Sequence, residues 1–438
     1  MTIGINAAAA IKQPRTGVEE YTYQLIKHLT MLPEARGHRF FLYVPSFLKE
    51  GGGGFKNKGL NPSQPPFKKG GENPFDFPLP PNFEIKVLRW PLPFLWTQAR
   101  LAWEMLVNPP QALFIPAHIL PFGAPSNSTV AIHGLEYEYF PEYYSLWRRL
   151  YLRWSTKRAA RRAKKIIAVS ANTKKDLVKL YGGEAGKISV VYHGVKFSNS
   201  SQPPLNLRGG EILPTPPFPK EGEIPPLKLR GGEGELSKPY LLYLGRLETK
   251  KNIQGILEAY KILKKKYKIP HELALAGAPG YGYEKIKEEI DDFNKRCHAE
   301  FISTSHGIPK QVRDDRMVYH YKIAELGYIS EDEKWQLLAG ADIFLFPSFY
   351  EGFGLPVLEA QLFGVPVVTS ASSCLPEIAG QGALFINPDN PAQIAEVTKQ
   401  IIDDKILRDK LKQSGFENIK RFGWEKCAKR TLEVLVGK

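Results

Sequence analysis

One segment of the chain places two cations and a glycine directly after an apolar run. The apolar residues Tyr240–Leu244 are followed by Gly245 and Arg246, and Lys251 and Asn252 come a few residues later. Because arginine forks onto two oxygens and lysine supplies a point charge, this pair suits a diphosphate. Asn252 is of the type that caps the first turn of a helix. Taken by itself, the pattern also fits an ordinary solvated loop between a strand and a helix.

A second segment brings glycines and carboxylates together at the start of a predicted helix. Gly352 and Gly354 lack a Cβ atom, which lets backbone N–H groups approach a ligand closely. Pro356 is typical of the first helical position, and the N-terminus of a helix favours phosphate. Glu351 precedes this helix and Glu359 lies about one turn inside it, where carboxylates can accept hydrogen bonds from hydroxyl groups. An alternative is that these carboxylates serve only to complement the helix dipole. The whole arrangement of glycines, helix start and carboxylates nevertheless indicates a ligand site.

Two weaker candidates lie in the first half of the chain. Gly17 is part of Arg15–Tyr21, which follows the first apolar run. His133 ends the apolar run Thr129–His133. A single histidine at the end of a strand is more often structural than functional, but the context of His133 favours a functional role.

Short apolar runs that alternate with helical patterns must position these residues. In the first part of the chain, strands are predicted at Thr2–Ile5, Arg39–Val44, Glu84–Leu88, Ala112–Ile115, Thr129–His133, Ile166–Val169 and Ile188–Tyr192. In the second part, strands are predicted at Tyr240–Leu244, Glu272–Ala276, Lys322–Leu326, Ile343–Phe346, Pro366–Thr369 and Ala383–Ile386. Helices are predicted at Gly17–Leu32, Ile253–Tyr267 and Ala392–Asp403. Alternating βα units predict parallel sheets with helices on both faces, and ligands bind beyond the carboxyl ends of such strands.

Length, charge and cysteine content limit the class of protein. The 438 residues suit two domains with additional segments, and a hydrophobic share of 43% is sufficient for a core in each. The net charge of +15 fits nucleic acid, an anionic membrane or phosphate-rich substrates equally. Three widely spaced cysteines predict neither a zinc site nor a disulfide framework, and they indicate a reducing cytoplasm. The N-terminus is predicted to be a strand rather than a signal peptide, and no apolar run has the length of a transmembrane helix.

Segments rich in proline and glycine interrupt the predicted domains. Prolines and glycines at this density cannot sustain helical or ladder hydrogen bonds. We therefore predict flexible surface insertions at about Ser46–Asn82 and Ser198–Lys238. A third insertion is predicted at about Arg296–Val318, where the polarity shows no clean period. The proline-rich segments could dock a partner, but their composition favours insertions without a role.

Taken together, the two charged segments resemble the retaining GT-B glycosyltransferases of glycosyltransferase family 4, also called glycosyl transferase group 1. The residues that match the family's motifs are Gly245, Arg246, Lys251, Asn252, Glu351 and Glu359. The resemblance covers nearly the whole chain outside the insertions. It implies an α/β fold of the GT-B type, in which two Rossmann-like domains face a central cleft.

The resemblance also implies the order of the domains. Residues 1–197 are expected to form an N-terminal, acceptor-side Rossmann-like domain, and residues 198–238 a linker insertion. Residues 239–420 are expected to form the nucleotide-sugar-binding domain. Residues 421–438 are expected to form a C-terminal helix that returns to the N-terminal domain.

Individual residues acquire roles through this resemblance. Arg246 and Lys251 are implied to hold the donor diphosphate. Glu351 is implied to lie beside the donor sugar, and Glu359 to bind the ribose hydroxyls. His133 is implied to reach the transferred sugar, although the residue after it departs from the family's usual aspartate. The other implied donor-binding residues are Gly17, Gly245, Gly352, Phe353, Gly354 and Leu355.

The implied reaction transfers a hexose from a nucleotide-diphosphate sugar to a glycan or lipid-linked acceptor with retention of configuration. The N-terminal pattern favours the mannosyl-type members. No cofactor and no metal are expected, and the sequence has no Asp-x-Asp triplet that would chelate one. Two alternatives stay open: an enzyme of the same fold that acts as a nucleotide-sugar epimerase, and a non-catalytic nucleotide-sugar-binding scaffold.

A basic helix is predicted near the middle of the first domain. From Arg148 to Lys165 there are nine lysines or arginines and no acids. Large apolar residues recur at helical spacing beside them: Leu146, Trp147, Leu150, Tyr151 and Trp154. The pattern fits both attachment to an anionic membrane surface and a core-facing helix with a solvated basic side. Nucleic acid is not expected, because no recognition fold accompanies the charge. The predicted location is the cytoplasm, with the inner face of the membrane as the site of attachment.

Overall fold

The computed structural model describes most of the chain, which forms two compact units. The described residues are 1–12, 15, 17–46, 73–91, 95–195, 206–208, 211–213, 239–305 and 323–437. The first unit contains Met1–Gly194 and Gly423–Lys438, and the second contains Val195–Phe422. Each unit has its own parallel sheet and its own apolar core.

The first unit is built on a seven-stranded parallel sheet with the strand order β3-β2-β1-β4-β5-β6-β7. Its strands are β1 (Thr2–Asn6), β2 (Arg39–Ser46), β3 (Phe83–Arg89), β4 (Ala112–Ile115), β5 (Ser128–Ile132), β6 (Lys165–Ala168) and β7 (Ile188–Val190). Consecutive residues of β4 are buried in different apolar clusters: Phe114 in one, Leu113 and Ile115 in the other. Because side chains alternate along a strand, both faces of this sheet are covered.

Helices from both ends of the chain cover this first sheet. They are α1 (Gly17–Met31), α2 (Ala102–Val107), α3 (Glu136–Tyr139), α4 (Leu146–Arg162), α5 (Ala171–Tyr181) and α13 (Trp424–Val436). The last helix, α13, buries Trp424, Leu432 and Leu435 in the same cluster as Leu25 of α1 and Ile5 of β1. The end of the chain therefore completes the core of the first unit.

The second unit is built on a six-stranded parallel sheet with the strand order β12-β11-β10-β13-β14-β15. Its strands are β10 (Tyr240–Leu244), β11 (Glu272–Ala276), β12 (Ile323–Gly327), β13 (Ile343–Phe346), β14 (Val367–Ser370) and β15 (Ala383–Ile386). Its helices are α6 (Ile253–Lys265), α7 (Tyr283–Ser305), α8 (Glu331–Gly340), α9 (Leu355–Leu362), α10 (Leu375–Ala379), α11 (Pro391–Asp403) and α12 (Lys405–Ile419). The strand order reverses direction between β10 and β13, and such a switch point is where ligands bind in open parallel sheets.

Every strand predicted from the apolar runs is present, with ends that differ by no more than a few residues. The predicted helices also occur, at Gly17–Met31, Ile253–Lys265 and Pro391–Asp403. The predicted strand Thr129–His133 ends one residue earlier, so that His133 lies in the loop after β5. Among the described residues, no helix combines the length and the apolar character that crossing a bilayer requires.

The predicted insertions are corrected where the structure describes them. Ser46 belongs to β2, and Phe75 and Phe77 are buried, with the Phe77 ring 5.5 Å from that of Tyr23 and 5.1 Å from that of Phe75. The prediction of a flexible segment up to Asn82 is therefore wrong for residues 73–82, because two phenylalanines give this proline-containing stretch an apolar anchor.

The other two predicted insertions need smaller corrections. Helix α7 continues to Ser305, so the insertion predicted from Arg296 cannot begin before residue 306. Within the predicted linker, Asn206–Arg208 (β8) and Glu211–Leu213 (β9) pair as short antiparallel strands. The remaining residues of the three predicted insertions lie outside the described part of the chain.

Candidate active site

The loop after β10 is joined to the loop after β11 by backbone hydrogen bonds. Gly245 N donates to Ala276 O at 2.9 Å, and Leu247 N donates to Ala278 O at 3.0 Å. Gly277 has a φ of +153°, and a Cβ atom there would lie 1.8 Å from Gly245 O. Only glycine fits such an approach of two backbones. The contact fixes the path of the loop that carries the predicted cations.

Asn252 is the N-cap of α6, as predicted. Its side chain accepts a hydrogen bond from Gly255 N at 3.1 Å and donates one to Pro388 O at 2.7 Å. Its φ of 59° is left-handed, a conformation that asparagine tolerates better than most residues. Because Lys251 directly precedes this doubly anchored residue, its backbone is fixed beyond the carboxyl end of β10.

The loop after β13 leads into α9 and meets the loop after β10. Phe349 N donates to Lys250 O at 3.0 Å, which ties the two loops together. Gly354, with a φ of +94°, is the N-cap of α9, and no described side chain caps this helix start. Pro356 has no N–H and Val357 N donates to Gly354 O at 3.1 Å, so among the first three helical residues Leu355 N is the group left to meet an anion in the loop. Pro356 is the second helical residue, not the first as predicted; either position suits proline.

Lys251 and Glu351 form an ion pair where these two loops meet. Lys251 Nζ lies 2.5 Å from Glu351 Oε1, and the two side chains are 16% and 10% exposed. Lys251 Nζ also lies 5.6 Å from the centre of the Phe346 ring. Because the pair is largely shielded from water, each charge holds the other in one place. The structure thus brings together one cation and one carboxylate from the two predicted segments.

Arg246 stands at the same edge of the sheet and is exposed. Its guanidinium donates to Pro279 O at 3.3 Å, in the loop after β11. The two cations of the first segment therefore differ: Lys251 is fixed by a carboxylate, whereas Arg246 keeps most of its donors directed to solvent.

Two residues that the sequence analysis did not single out support Glu351. Ser373 Oγ accepts a hydrogen bond from Glu351 N at 3.0 Å. Cys374 Sγ lies 3.1 Å from Glu351 O and 3.2 Å from Phe353 O, and burial followed by the nearby Glu351 charge raises the pKa of this thiol well above its ordinary value. Both residues follow β14, the strand next to β13, so their position after an apolar run was a usable signal.

Glu359 lies on α9 and contacts a lysine that the sequence analysis also did not single out. Lys334 Nζ, on α8, lies 2.8 Å from Glu359 Oε1. The other predicted donor-binding residues of this unit are Gly352 and Phe353, both buried before the helix, and Leu355, which begins it.

His133 and Gly17, the remaining predicted residues, belong to the first unit. His133 Nε2 lies 2.6 Å from Pro116 O, and its backbone N donates to His118 Nε2 at 3.2 Å. Its ring packs edge-on against Tyr21, with ring centres 4.7 Å apart. Gly17 is the exposed first residue of α1, and a Cβ atom there would meet no described atom within 4 Å. Nothing in the described part of the chain therefore requires glycine at this position.

We expect acid to destabilise the first unit because its buried histidines resist protonation. Burial lowers the pKa of His133 to about 4 and that of His118 to about 3. In the unfolded chain both titrate near 6.5, so below that pH the unfolded state binds more protons than the folded state. Stability should therefore be constant above about pH 7 and fall steadily from about pH 6.5 towards pH 4. Thermal unfolding measured across this range checks this, with H118N as the comparison; an equal loss in H118N would contradict the assignment to the histidines.

The fold and this site define the class of protein: an α/β protein with two Rossmann-like units, one of which carries a charged, glycine-containing switch point. Two family models match it, "Glycosyltransferase Family 4" over residues 15–198 and "Glycosyl transferases group 1" over residues 230–326 and 321–418. The chain belongs to glycosyltransferase family 4, and it is a glycosyltransferase.

Two of the known proteins of similar sequence are mannosyltransferases. O-antigen chain mannosyltransferase B from Escherichia coli is 26% identical over 436 residues, which cover 98% of each chain. O-antigen chain mannosyltransferase RfbU from Salmonella typhimurium is 24% identical over 299 residues, which cover 67% of each chain.

Solved structures share the fold. WaaG, a glycosyltransferase involved in lipopolysaccharide biosynthesis, matches with a TM-score of 0.61 at 14% identity, and all of both chains is covered. HepE from Anabaena, solved in complex with UDP-glucose, matches equally well, with a TM-score of 0.61 at 16% identity over all of both chains. These likenesses confirm the predicted GT-B fold class.

Proposed function

We propose that this glycosyltransferase moves a hexose, foremost mannose, from a nucleotide-diphosphate sugar to a glycan or lipid-linked acceptor with retention of configuration. The observation that carries the proposal is the Lys251–Glu351 pair at the switch point of the second sheet. It places a cation for a diphosphate beside a carboxylate for sugar hydroxyls. The name of the E. coli relative, similar over almost its whole length, supports the mannosyl transfer, and the UDP-glucose in the HepE structure supports the donor class.

In the proposed reaction, the bond between the sugar C1 and the diphosphate oxygen breaks, and a bond from C1 to the acceptor oxygen forms on the same face. The negative charge that develops on the leaving diphosphate is stabilised by Arg246, Lys251 and the Leu355 N–H at the start of α9. The leaving phosphate accepts the proton of the acceptor hydroxyl. No carboxylate pair of the glycosidase type is then needed, and neither a metal nor another cofactor takes part in the proposal.

A thermal-shift screen against nucleotides and nucleotide sugars tests the donor half. A ligand that binds only the folded state raises the melting temperature, by an amount that grows with its concentration over Kd. We expect a nucleoside diphosphate and its hexose conjugate to do so, and the conjugate to be consumed only when a glycan or lipid-linked acceptor is supplied. No shift with any nucleotide would overturn the proposal.

Measuring turnover of the donor distinguishes the glycosyltransferase from the two alternatives, an epimerase and a non-catalytic scaffold. Donor conversion without an acceptor product would favour the nucleotide-sugar epimerase. Binding without turnover across a range of acceptors would favour the non-catalytic scaffold.

We also propose that the protein attaches to the anionic inner face of the cytoplasmic membrane through α4. This helix buries small residues, among them Ser155, Ala159 and Ala160, and exposes most of its large apolar ones, whereas Leu152 packs against the core. Trp147 is 81% exposed and Leu146 is 66% exposed. A core-facing helix would bury its large side chains, so this distribution supports the membrane interpretation over the core-facing one.

Neighbouring elements extend the exposed apolar side chains of α4 into a continuous surface. The rings of Phe122 and Trp154 lie 5.5 Å apart, and the Arg158 guanidinium lies 5.0 Å from the Phe122 ring centre. Leu106 of α2 packs against Gly123, which follows Phe122, and Trp103 and Leu106 are each exposed by more than half. Aromatic side chains with arginines among them suit the interface between acyl chains and anionic headgroups.

Vesicle flotation tests this surface. We expect the protein to float with vesicles that contain phosphatidylglycerol, less so at high salt, and not with purely zwitterionic vesicles. Exchanging Trp147 or Trp154 for serine should weaken vesicle binding by about tenfold or more in each case, because each ring would be buried in the lipid on binding. Ile406→Ser, which removes an 83% exposed apolar residue of the second unit, is the matched control and should float normally. Binding that is absent, or that ignores salt and both tryptophans, would contradict the proposal.

A further inference from the structure

Lys334 occupies a position that is unfavourable for a cation. It lies in the first turn of α8, whose N-terminus is closed by a capping box between Ser330 and Glu333. The N-terminal end of a helix carries a partial positive charge, which repels an ammonium group. The Lys334 side chain is also only 17% exposed. A lysine placed here, against the helix dipole and largely out of water, needs compensating contacts, and the acids of the same turn, Glu331, Asp332 and Glu333, offset the dipole in part.

Three groups contact the ammonium group of Lys334. Lys334 Nζ lies 2.8 Å from Glu359 Oε1, 3.1 Å from Glu331 Oε1 and 4.1 Å from the centre of the Trp335 ring. Trp335 is itself buried and stacks on Phe363. Burial opposes the charged form, but the two carboxylates outweigh it and raise the pKa of Lys334. The group therefore stays a fixed cation.

Of the two carboxylates, Glu359 forms the stronger ion pair with Lys334. The Glu331 side chain is 57% exposed, and ion pairs with exposed carboxylates contribute little. The Glu359 side chain is 15% exposed, so its contact with Lys334 is shielded from water. That contact occupies Oε1 and leaves Oε2 to accept hydrogen bonds from a neighbouring ligand. A glutamate held in this way does not have to be ordered when the ligand arrives.

We propose that Lys334 is a positioning residue for Glu359, and that the pair selects ribonucleoside diphosphates over their deoxyribose forms. The inference rests on the proposed function and on the role that the family resemblance implies for Glu359, which is to bind the ribose hydroxyls of the donor. A site built to accept a hydroxyl hydrogen bond rejects the analogue that lacks the hydroxyl, because its polar group is left unpaired. Fixing Glu359 sharpens that rejection, since a mobile carboxylate turns to solvent instead.

Calorimetric titration with GDP and UDP, each beside its 2′-deoxy and 3′-deoxy form, tests the inference. We expect the wild type to prefer the better ribonucleotide over at least one of its deoxy forms by about tenfold to a hundredfold, the range of a hydrogen bond to a charged group. In K334M this preference should shrink to about threefold or less, because ribonucleotide binding weakens while deoxynucleotide binding is unchanged. K261M is the matched control: Lys261 pairs with the half-exposed Glu258 on α6, and the variant should discriminate as the wild type does.

The outcomes keep the two proposals apart. If neither nucleotide binds the wild type, the proposed function fails. If the wild type discriminates and K334M does so equally, or if the wild type binds the ribose and deoxyribose forms alike, the positioning role is overturned while the proposed function stands. Should K334M not fold, K334R decides: arginine keeps the charge but not the geometry, so an intermediate preference supports the role and an unchanged one overturns it.

Discussion

We expect replacement of Lys251 by alanine to lower the turnover rate by about 10²–10³. In the proposed mechanism, the Lys251 ammonium is fixed before the reaction begins and meets the charge that develops on the leaving diphosphate. A preorganised charge in a shielded site is worth more than the same charge in water, and here both members of the pair are largely buried. Steady-state kinetics with the donor found in the screen gives kcat and KM separately, and the loss should lie mainly in kcat.

The K251A experiment needs a check on folding, because the exchange leaves Glu351 without its counter-ion. K251A combined with E351Q removes both charges and should restore the melting temperature but not the rate. K399A, on the partly exposed Lys399 that pairs with Asp403 on α11, is the control for losing a lysine of this unit. Near-normal turnover in K251A would remove Lys251 from the mechanism.

The largest effect on stability is expected for Gly277→Ala. The new Cβ atom would lie 1.8 Å from Gly245 O, and the φ of +153° is strained for any residue with a side chain. The atoms that the new Cβ would meet belong to the Gly245 backbone, which cannot rotate out of the way as a side chain could. We expect the free energy of unfolding of the second unit to fall by about 3 kcal/mol or more. In a unit of this size the melting temperature should drop by about 6–12 °C.

A control for Gly277→Ala is a glycine whose exchange adds a Cβ atom in open space. Gly186 has no described atom within 4 Å of such a position and no positive φ, so G186A should change stability by less than about 0.5 kcal/mol. Differential scanning calorimetry compares the two variants. A Gly277→Ala protein as stable as G186A would mean that the two loops separate easily, and the preorganisation argued for Lys251 would lose its basis.

The strands of the fold and the two loops that carry the Lys251–Glu351 pair could be predicted from the sequence for the same reason. In parallel sheets, buried strands read as continuous apolar runs, and the loops that follow them are where ligands bind. The runs ending at Leu244 and Phe346 therefore located both strands of the switch point and the loops after them. That these two strands are neighbours could not be read from spacing, because β11 and β12 intervene in the chain.

What the sequence did not reveal are the residues that support the site from elsewhere. Ser373 and Cys374 contact Glu351 because β14 lies beside β13, and Lys334 contacts Glu359 because α8 and α9 lie close together. These contacts depend on strand order and helix packing, which no local pattern encodes. Phe77 was missed for a different reason: proline and glycine around it dominate the composition, although the phenylalanine itself is buried.

Helix α13 has a consequence for how the protein is made. The first unit consists of residues up to Gly194 and again from Gly423, so the whole second unit is inserted into it. A ribosome that has finished β7 needs roughly 12–50 s more, at about 5–20 residues per second, before the closing helix can emerge. During that time, the surface of the nascent first unit that Trp424 and Leu432 later cover stays exposed to solvent. The second unit, by contrast, is continuous in the chain and is complete before α13 is synthesised, so all of its residues are available for folding before those of the first unit.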